Sequence, residues 1–229
     1  YGNNDDYKKS IPYVGWTKDE TDRELSSSGG LFPALAKVVL NWGGVVVGAE
    51  MDGRSVRHVA ITDEKDLPRL QGSKYLWSNC SNIYTETNKY LRQGKPVLFT
   101  GTPCQTAAML LHADQSLRKN LYLVDLVCHG VPSNQILHAA DKIFGQKIKT
   151  IISFRDKEAP WRKNFNTTFM FENNTIKRLE QKNNFFIQMF LSDSCLRSSC
   201  YSCLFIGMNR KSDLTIGDYW GTNRFSEQS

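Results

Sequence analysis

The sequence predicts an α/β protein: a mostly parallel or mixed central sheet flanked by helices, with a smaller β-rich subdomain and a C-terminal cysteine-rich loop. Three observations carry this prediction. Short apolar, β-branched runs alternate with segments of helical period as far as Gly145. Two of those runs have a cysteine just past their carboxyl end, which is where open α/β sheets gather their chemistry. Beyond Gly145 the helical alternation gives way to two β-type runs, a short helix and the segment Cys195-Leu-Arg-Ser-Ser-Cys200-Tyr-Ser-Cys203.

The elements follow in order. Residues 1–25 read as a polar, irregular N-terminal segment. Residues 26–30, three serines and two glycines, open a helix over 31–40 whose apolar positions are Leu31, Phe32, Leu35, Val38, Val39 and Leu40. Its start is either an ordinary cap or an anion site made by free N–H groups and the positive end of the helix dipole. A glycine-bounded strand over 43–49 pairs with His58, Val59 and Ile61 across an Asp52-Gly53 turn. Residues 71–78 place hydroxyls, a lysine and two aromatics in one short stretch. Such a stretch suits a phosphate and a planar ring, and it is equally readable as an exposed turn. A helix over 83–91 precedes a buried strand over 96–101, with Cys104 just past its carboxyl end. A helix over 106–112 and a buried strand over 121–127 end in Cys128. After a helix over 136–144, strands over 150–154 and 167–171 flank a basic loop, and a helix over 185–191 leads into the cysteine-rich segment. The division is thus 1–25, an α/β core over 26–145, and a β-rich subdomain with the Cys-x-x-Cys loop and a closing strand over 146–229, all one cooperative unit.

Composition excludes several classes of function. The 229 residues carry a formal charge of +6, but lysine and arginine are scattered without a basic run, so nucleic acid is not an expected partner. No stretch reaches the roughly 18 apolar residues of a membrane span, and no basic-then-apolar leader opens the chain. A cytoplasmic protein is expected, with both ends looking cut. No Ser-His-Asp arrangement, Walker loop or Gly-x-Gly-x-x-Gly fingerprint is evident, which argues against a hydrolase or a Rossmann-type dehydrogenase.

The six cysteines matter most. Three disulfides would need an oxidising compartment, and without an export signal that reading weakens. Cys200 and Cys203 on one short loop suit metal chelation or redox chemistry, and with Cys104 and Cys128 they supply four soft thiolates. Thiolates are what iron–sulfur clusters bind, and a zinc site would use the same four ligands.

Seven motifs in order now resemble one family: Ser-Ser-Gly-Gly, Gly-Ser-Lys-Tyr, Gly-Thr-Pro-Cys-Gln, Cys-His-Gly-Val-Pro-Ser, Phe-Arg-Asp-Lys, Ser-Cys-Tyr-Ser-Cys and Ser-Asp-Leu-Thr-Ile-Gly-Asp-Tyr-Trp-Gly. From about Ser26 to Gly221 the chain is similar to the coenzyme F420 hydrogenase/dehydrogenase beta-subunit family, and to its bacterial branch in particular. The resemblance implies an oxidoreductase in which a 4Fe-4S cluster exchanges electrons with FAD, and the flavin exchanges a hydride with a small organic acceptor, the deazaflavin coenzyme or another substrate. It implies Cys104, Cys128, Cys200 and Cys203 as cluster ligands, with Cys195 an extra thiol of open role and Cys80 structural. It implies FAD contacts from Ser28, Gly29, Gly30, Gly72, Ser73, Lys74, Ser78, Thr102, Gly217 and Asp218. His129, beside the cofactors, is the expected proton carrier, or equally the residue that fixes its turn; Lys157 is the expected catalytic cation, lining an acceptor pocket with Arg155 and Trp161. His58, His112 and His138 are expected to carry no chemistry. The implied partner is a ferredoxin-like domain or redox subunit.

Overall fold

The computed structural model describes residues 10–156, 165–207 and 210–219. Two helices come first, α1 (Glu20–Leu25) and α2 (Leu31–Asn41). The first lies inside the stretch expected to be irregular: Asp19 caps it by accepting from the Asp22 N–H at 3.0 Å, and buried Asp22 then meets Lys37 of α2 at 2.7 Å. The hairpin β1 (Val45–Asp52) and β2 (Ser55–Ile61) closes with Asp52 opposite Ser55, so the Asp52-Gly53 turn is where the sequence puts it. Next come β3 (Ser78–Asn79), α3 (Ile83–Arg92), β4 (Val97–Gly101), α4 (Pro103–His112), β5 (Leu121–Leu126) and α5 (Gln135–Phe144). The chain continues through β6 (Ile148–Ser153), β7 (Thr167–Phe171), β8 (Ile176–Leu179), α6 (Phe185–Leu191), α7 (Ser198–Tyr201) and β9 (Leu214–Ile216).

Six strands form a mixed sheet in the order β3-β2-β1-β4-β5-β9, parallel throughout except for the β1–β2 hairpin. Three strands form a small antiparallel sheet, β6-β7-β8. The expected α/β architecture is the one observed. Period-2 burial splits the main sheet into two faces: Val45, Val47, Phe99 and Leu123 pack under α3 and α4, while Val46, Leu98 and Val124 pack under α2. A third core joins the small sheet to α5 and α6 through Ile148, Phe169, Phe171 and Phe186, and it includes Val56 and Leu76 from the main-sheet side.

The helix after β4 begins three residues earlier than its apolar period suggests. Pro103 sits in its first turn, where a missing N–H costs nothing, and the Gln105 side chain accepts from the Thr102 N–H at 2.9 Å. Cys104 therefore lies in the first turn of α4 rather than on a loop.

Candidate redox site at the strand ends

Parallel pairing of β4 and β5 puts Gly101 opposite Asp125, so the segments carrying Cys104 and Cys128 leave the same edge of the sheet. The loop after Cys128 is stitched to the cysteine-rich segment by main-chain bonds: Ser133 N–H to Cys195 O at 2.8 Å and Arg197 N–H to Val131 O at 2.9 Å. A β-bridge joins Pro132 to Leu196 between them. Gly130 has a φ of 152°, which L side chains rarely adopt, and a Cβ there would meet Leu196 Cδ1 at 2.7 Å, so glycine suits this approach. Cys200 Sγ then lies 4.0 Å from Val131 O.

Burial pushes the Cys128 thiol up to about 11, and the thiols of Cys104, Cys200 and Cys203 act in the same direction. Among the described residues, no group of three or more His, Cys, Asp or Glu side chains is spaced to hold a metal ion. The fit to a cluster rests on the donor chemistry, four thiols on segments that meet at one edge of the sheet, together with the loop stitching. Cys195 is half-buried and its thiol is pushed up by burial.

Cys80 is buried beside this edge. Its sulfur contacts His58 Nδ1 at 3.2 Å and Gln105 Nε2 at 3.3 Å. His58 is a core residue, stacked on Phe99 and bonded from Nε2 to Thr100 O at 2.9 Å. Burial pushes it down to about 4, so the neutral ring is the folded form. Ser78 is buried as well, and its hydroxyl lies 2.7 Å from His58 Nδ1, turned into the protein. Thr102 places its hydroxyl 3.1 Å from Cys104 Sγ and 3.0 Å from Gln105 Oε1.

Two segments expected to hold the flavin do come together. The Ser73 N–H donates to Ser27 Oγ at 2.7 Å, so the serine that meets this loop is the one just before the expected Ser28. Gly72, with φ of 80°, stays exposed, with nothing nearer its missing Cβ than Leu25 O at 4.0 Å. Lys74 donates to Gln71 O at 2.7 Å and Gly72 O at 3.2 Å, and burial pushes its ammonium down to about 8. Trp77 receives the Arg197 guanidinium over its ring at 5.0 Å, tying this loop to the cysteine-rich segment.

Other glycines have internal reasons. A Cβ on Gly30 would meet Thr17 Cγ2 at 2.5 Å and one on Gly29 would meet Gly15 O at 3.1 Å, so residues 15–17 pack against this end of α2 alongside Ser28. A Cβ on Gly217 would likewise meet Val127 Cγ2 at 2.7 Å.

His129 Nε2 lies 2.7 Å from Asp193 Oδ1, with its ring edge-on to Phe190. Lys157 and Trp161 lie outside the described residues, as does the end of the Gly217-Asp218-Tyr-Trp-Gly motif from residue 220. Arg155 is not a pocket rim: its side chain is 6% exposed and paired to Asp218 at 2.7 Å, beneath Phe165. Asp125, an acid in an otherwise apolar strand, is a functional candidate that the sequence itself signals. Its buried carboxylate oxygens have no hydrogen-bond partner among the described residues, with Arg210 3.9 Å away.

Fold and site together define a cysteine-edged α/β module of the beta-subunit type. The family model for the C terminus of the coenzyme F420 hydrogenase/dehydrogenase beta subunit matches residues 94–228, and the chain belongs to that family. No curated protein matches the chain. Among solved structures, it is similar to a chain of the F420-reducing NiFe hydrogenase complex from Methanosarcina barkeri, at 17% identity and a TM-score of 0.55. That alignment covers 84% of this chain and 66% of the other, so this chain spans less than two thirds of its neighbour. Among the described residues no helix is long and apolar enough to cross a membrane.

Proposed function

We propose that this chain passes electrons between a 4Fe-4S cluster and FAD, and on to or from a small organic hydride acceptor, in the manner of an iron–sulfur flavin oxidoreductase. One observation carries the reading: the Cys128 loop is bonded by its main chain to the Cys195–Cys203 segment. Bound FAD would supply the conversion between one-electron and two-electron transfer.

The chain's own residues do the rest. Cys104, Cys128, Cys200 and Cys203 would hold the cluster, losing their protons as they bind it. Ser73 and Lys74, braced by Ser27, would hold the cofactor's phosphates; Ser28, Gly29, Gly30 and Gly217 contribute main chain whose close packing sets the cradle. Ser78 and Thr102 orient the adjoining turns through His58 and Gln105. His129 is held at Nε2 by Asp193 with its side chain 44% exposed, and would be the proton carrier beside the cofactors. Lys157 would face the acceptor. A ferredoxin-like domain or redox subunit would supply or drain electrons, in a cytoplasmic setting.

The deciding experiment is anaerobic purification followed by iron, sulfide, zinc and flavin quantitation. Iron and acid-labile sulfide in equal amounts, with FAD released on denaturation, is the expected result. Zinc without iron or sulfide would make the thiols a structural site and end the redox reading.

A further inference from the structure

Thr102 stands at the join between β4 and α4, just before the proline that opens the helix, and its backbone is extended at φ −70° and ψ 160°. Its hydroxyl has one hydrogen and two neighbours that can accept it, Gln105 Oε1 at 3.0 Å and Cys104 Sγ at 3.1 Å. While Cys104 is a thiol, one arrangement satisfies all three groups: the S–H donates to Thr102 Oγ1 and the hydroxyl donates to Gln105. A thiolate cannot donate. Loss of the Cys104 proton therefore leaves the sulfur as an acceptor facing a hydroxyl that can turn towards it. Turning strands no group, because Gln105 Oε1 still accepts from the Thr102 main-chain N–H at 2.9 Å.

Cys104 is an expected cluster ligand, so this inference rests on the proposed function. We propose that the Thr102 hydroxyl donates to the Cys104 thiolate when the cluster is bound and raises the cluster's reduction potential. The cluster takes one electron from a reduced partner, which loses it, and no covalent bond is made or broken. The added negative charge spreads onto the thiolate sulfurs, where a donated O–H bond stabilises the reduced form more than the oxidised one. The first turn of α4 brings the positive end of a helix dipole to the same sulfur. Thr102 acts through Cys104 and is a positioning residue, in place of the flavin contact that its motif implies.

The test is an anaerobic dithionite titration of wild-type protein, Thr102→Val and Thr102→Ser, read by electron paramagnetic resonance of the reduced cluster, with FAD affinity measured on each. Valine suits the extended backbone and puts a methyl where the hydroxyl stood, so no water takes its place. Thr102→Val is expected to shift the one-electron equilibrium about tenfold toward the oxidised cluster, lowering the potential by about 59 mV. Thr102→Ser is expected to return it to the wild-type value, with FAD affinity unchanged in both. A hydroxyl that serves only the helix cap predicts a lower melting temperature with equal potentials in all three proteins, and that result overturns the assignment. A serine variant as low as the valine one traces the shift to packing and rejects the bond. Weakened FAD binding with an unmoved potential rejects it too and returns the hydroxyl to the flavin. If Thr102→Val holds no cluster, Thr102→Ala takes its place, and a second cluster-free variant makes the hydroxyl an assembly element and overturns the assignment. Wild-type protein without iron and sulfide overturns the proposed function itself, whereas a loaded cluster with an unmoved potential overturns only Thr102.

Discussion

The main-chain N–H of Ser73 donates to the hydroxyl of Ser27, a contact spanning 46 residues that fixes the turn before α2 against the loop before β3. Neither segment has a repeating pattern that would hold it in place alone. Ser27→Ala leaves the Ser73 N–H without this partner and is expected to cost about 1 kcal/mol of stability. FAD retention should fall more than the melting temperature suggests, because Lys74 follows directly. Equilibrium dialysis beside thermal unfolding checks both, and unchanged retention would separate this contact from the cofactor.

The thiol edge depends on how closely two loops approach. Gly130→Ala would place a methyl 2.7 Å from Leu196 Cδ1 on a backbone whose φ of 152° L side chains rarely adopt, disturbing the approach of the Cys128 loop to the Cys195–Cys203 segment. Iron content after anaerobic reconstitution should drop several-fold while far-ultraviolet dichroism stays near wild type. The double variant Gly130→Ala with Leu196→Ala gives the methyl room but keeps a φ of 152° that L side chains rarely adopt, so it should recover only part of the iron. Failure of the second change to help would mean that backbone strain, rather than spacing, limits assembly.

Much of this architecture is legible in the sequence because buried strands advertise themselves. Val45–Val47, Leu98–Phe99 and Leu121–Val124 are apolar runs on a sheet covered on both faces, and the cysteines after two of them stand at a position where sites gather. β8 escapes such a reading because Ile176–Leu179 is almost wholly exposed and carries no alternation. The early start of α4 escapes it because its cap is a side-chain reach from Gln105, not a hydrophobic period. At the site, glycine is ambiguous: Gly29, Gly30 and Gly217 admit neighbouring protein atoms, a need indistinguishable in sequence from room for a cofactor. The Arg197–Val131 bond and the Arg155–Asp218 pair join distant segments, and no local pattern records such pairings.

His58 makes the fold sensitive to acid. Its folded value of about 4 lies below the unfolded 6.5, so between those values the unfolded chain binds more protons. Stability therefore falls as pH drops through that window, by up to about 3 kcal/mol for this one group. His58→Gln keeps hydrogen bonding in place without titrating and should flatten the slope, at some cost at pH 7. Urea denaturation at pH 7 and pH 4.5 measures it, and equal slopes in the two proteins would assign the acid sensitivity elsewhere.

Lys74 pulls stability and binding in opposite directions. Two carbonyls take two of its three N–H donors, leaving one for an anionic ligand, and burial holds its value near 8 against an ordinary 10.5. The unfolded chain binds more protons between those values, so stability contributed here rises from pH 8 to 10.5, and below pH 8 the folded protein bears the full cost of a desolvated ammonium. Lys74→Met removes that cost and is expected to raise the stability of the cofactor-free protein at pH 7 by about 1 to 3 kcal/mol. FAD binding should weaken by about 1.5 to 3 kcal/mol through loss of a charge-assisted bond. Thermal unfolding without FAD and a binding titration with it separate the two effects. A variant that is more stable yet binds FAD as tightly as wild type would move the phosphate contact away from this lysine.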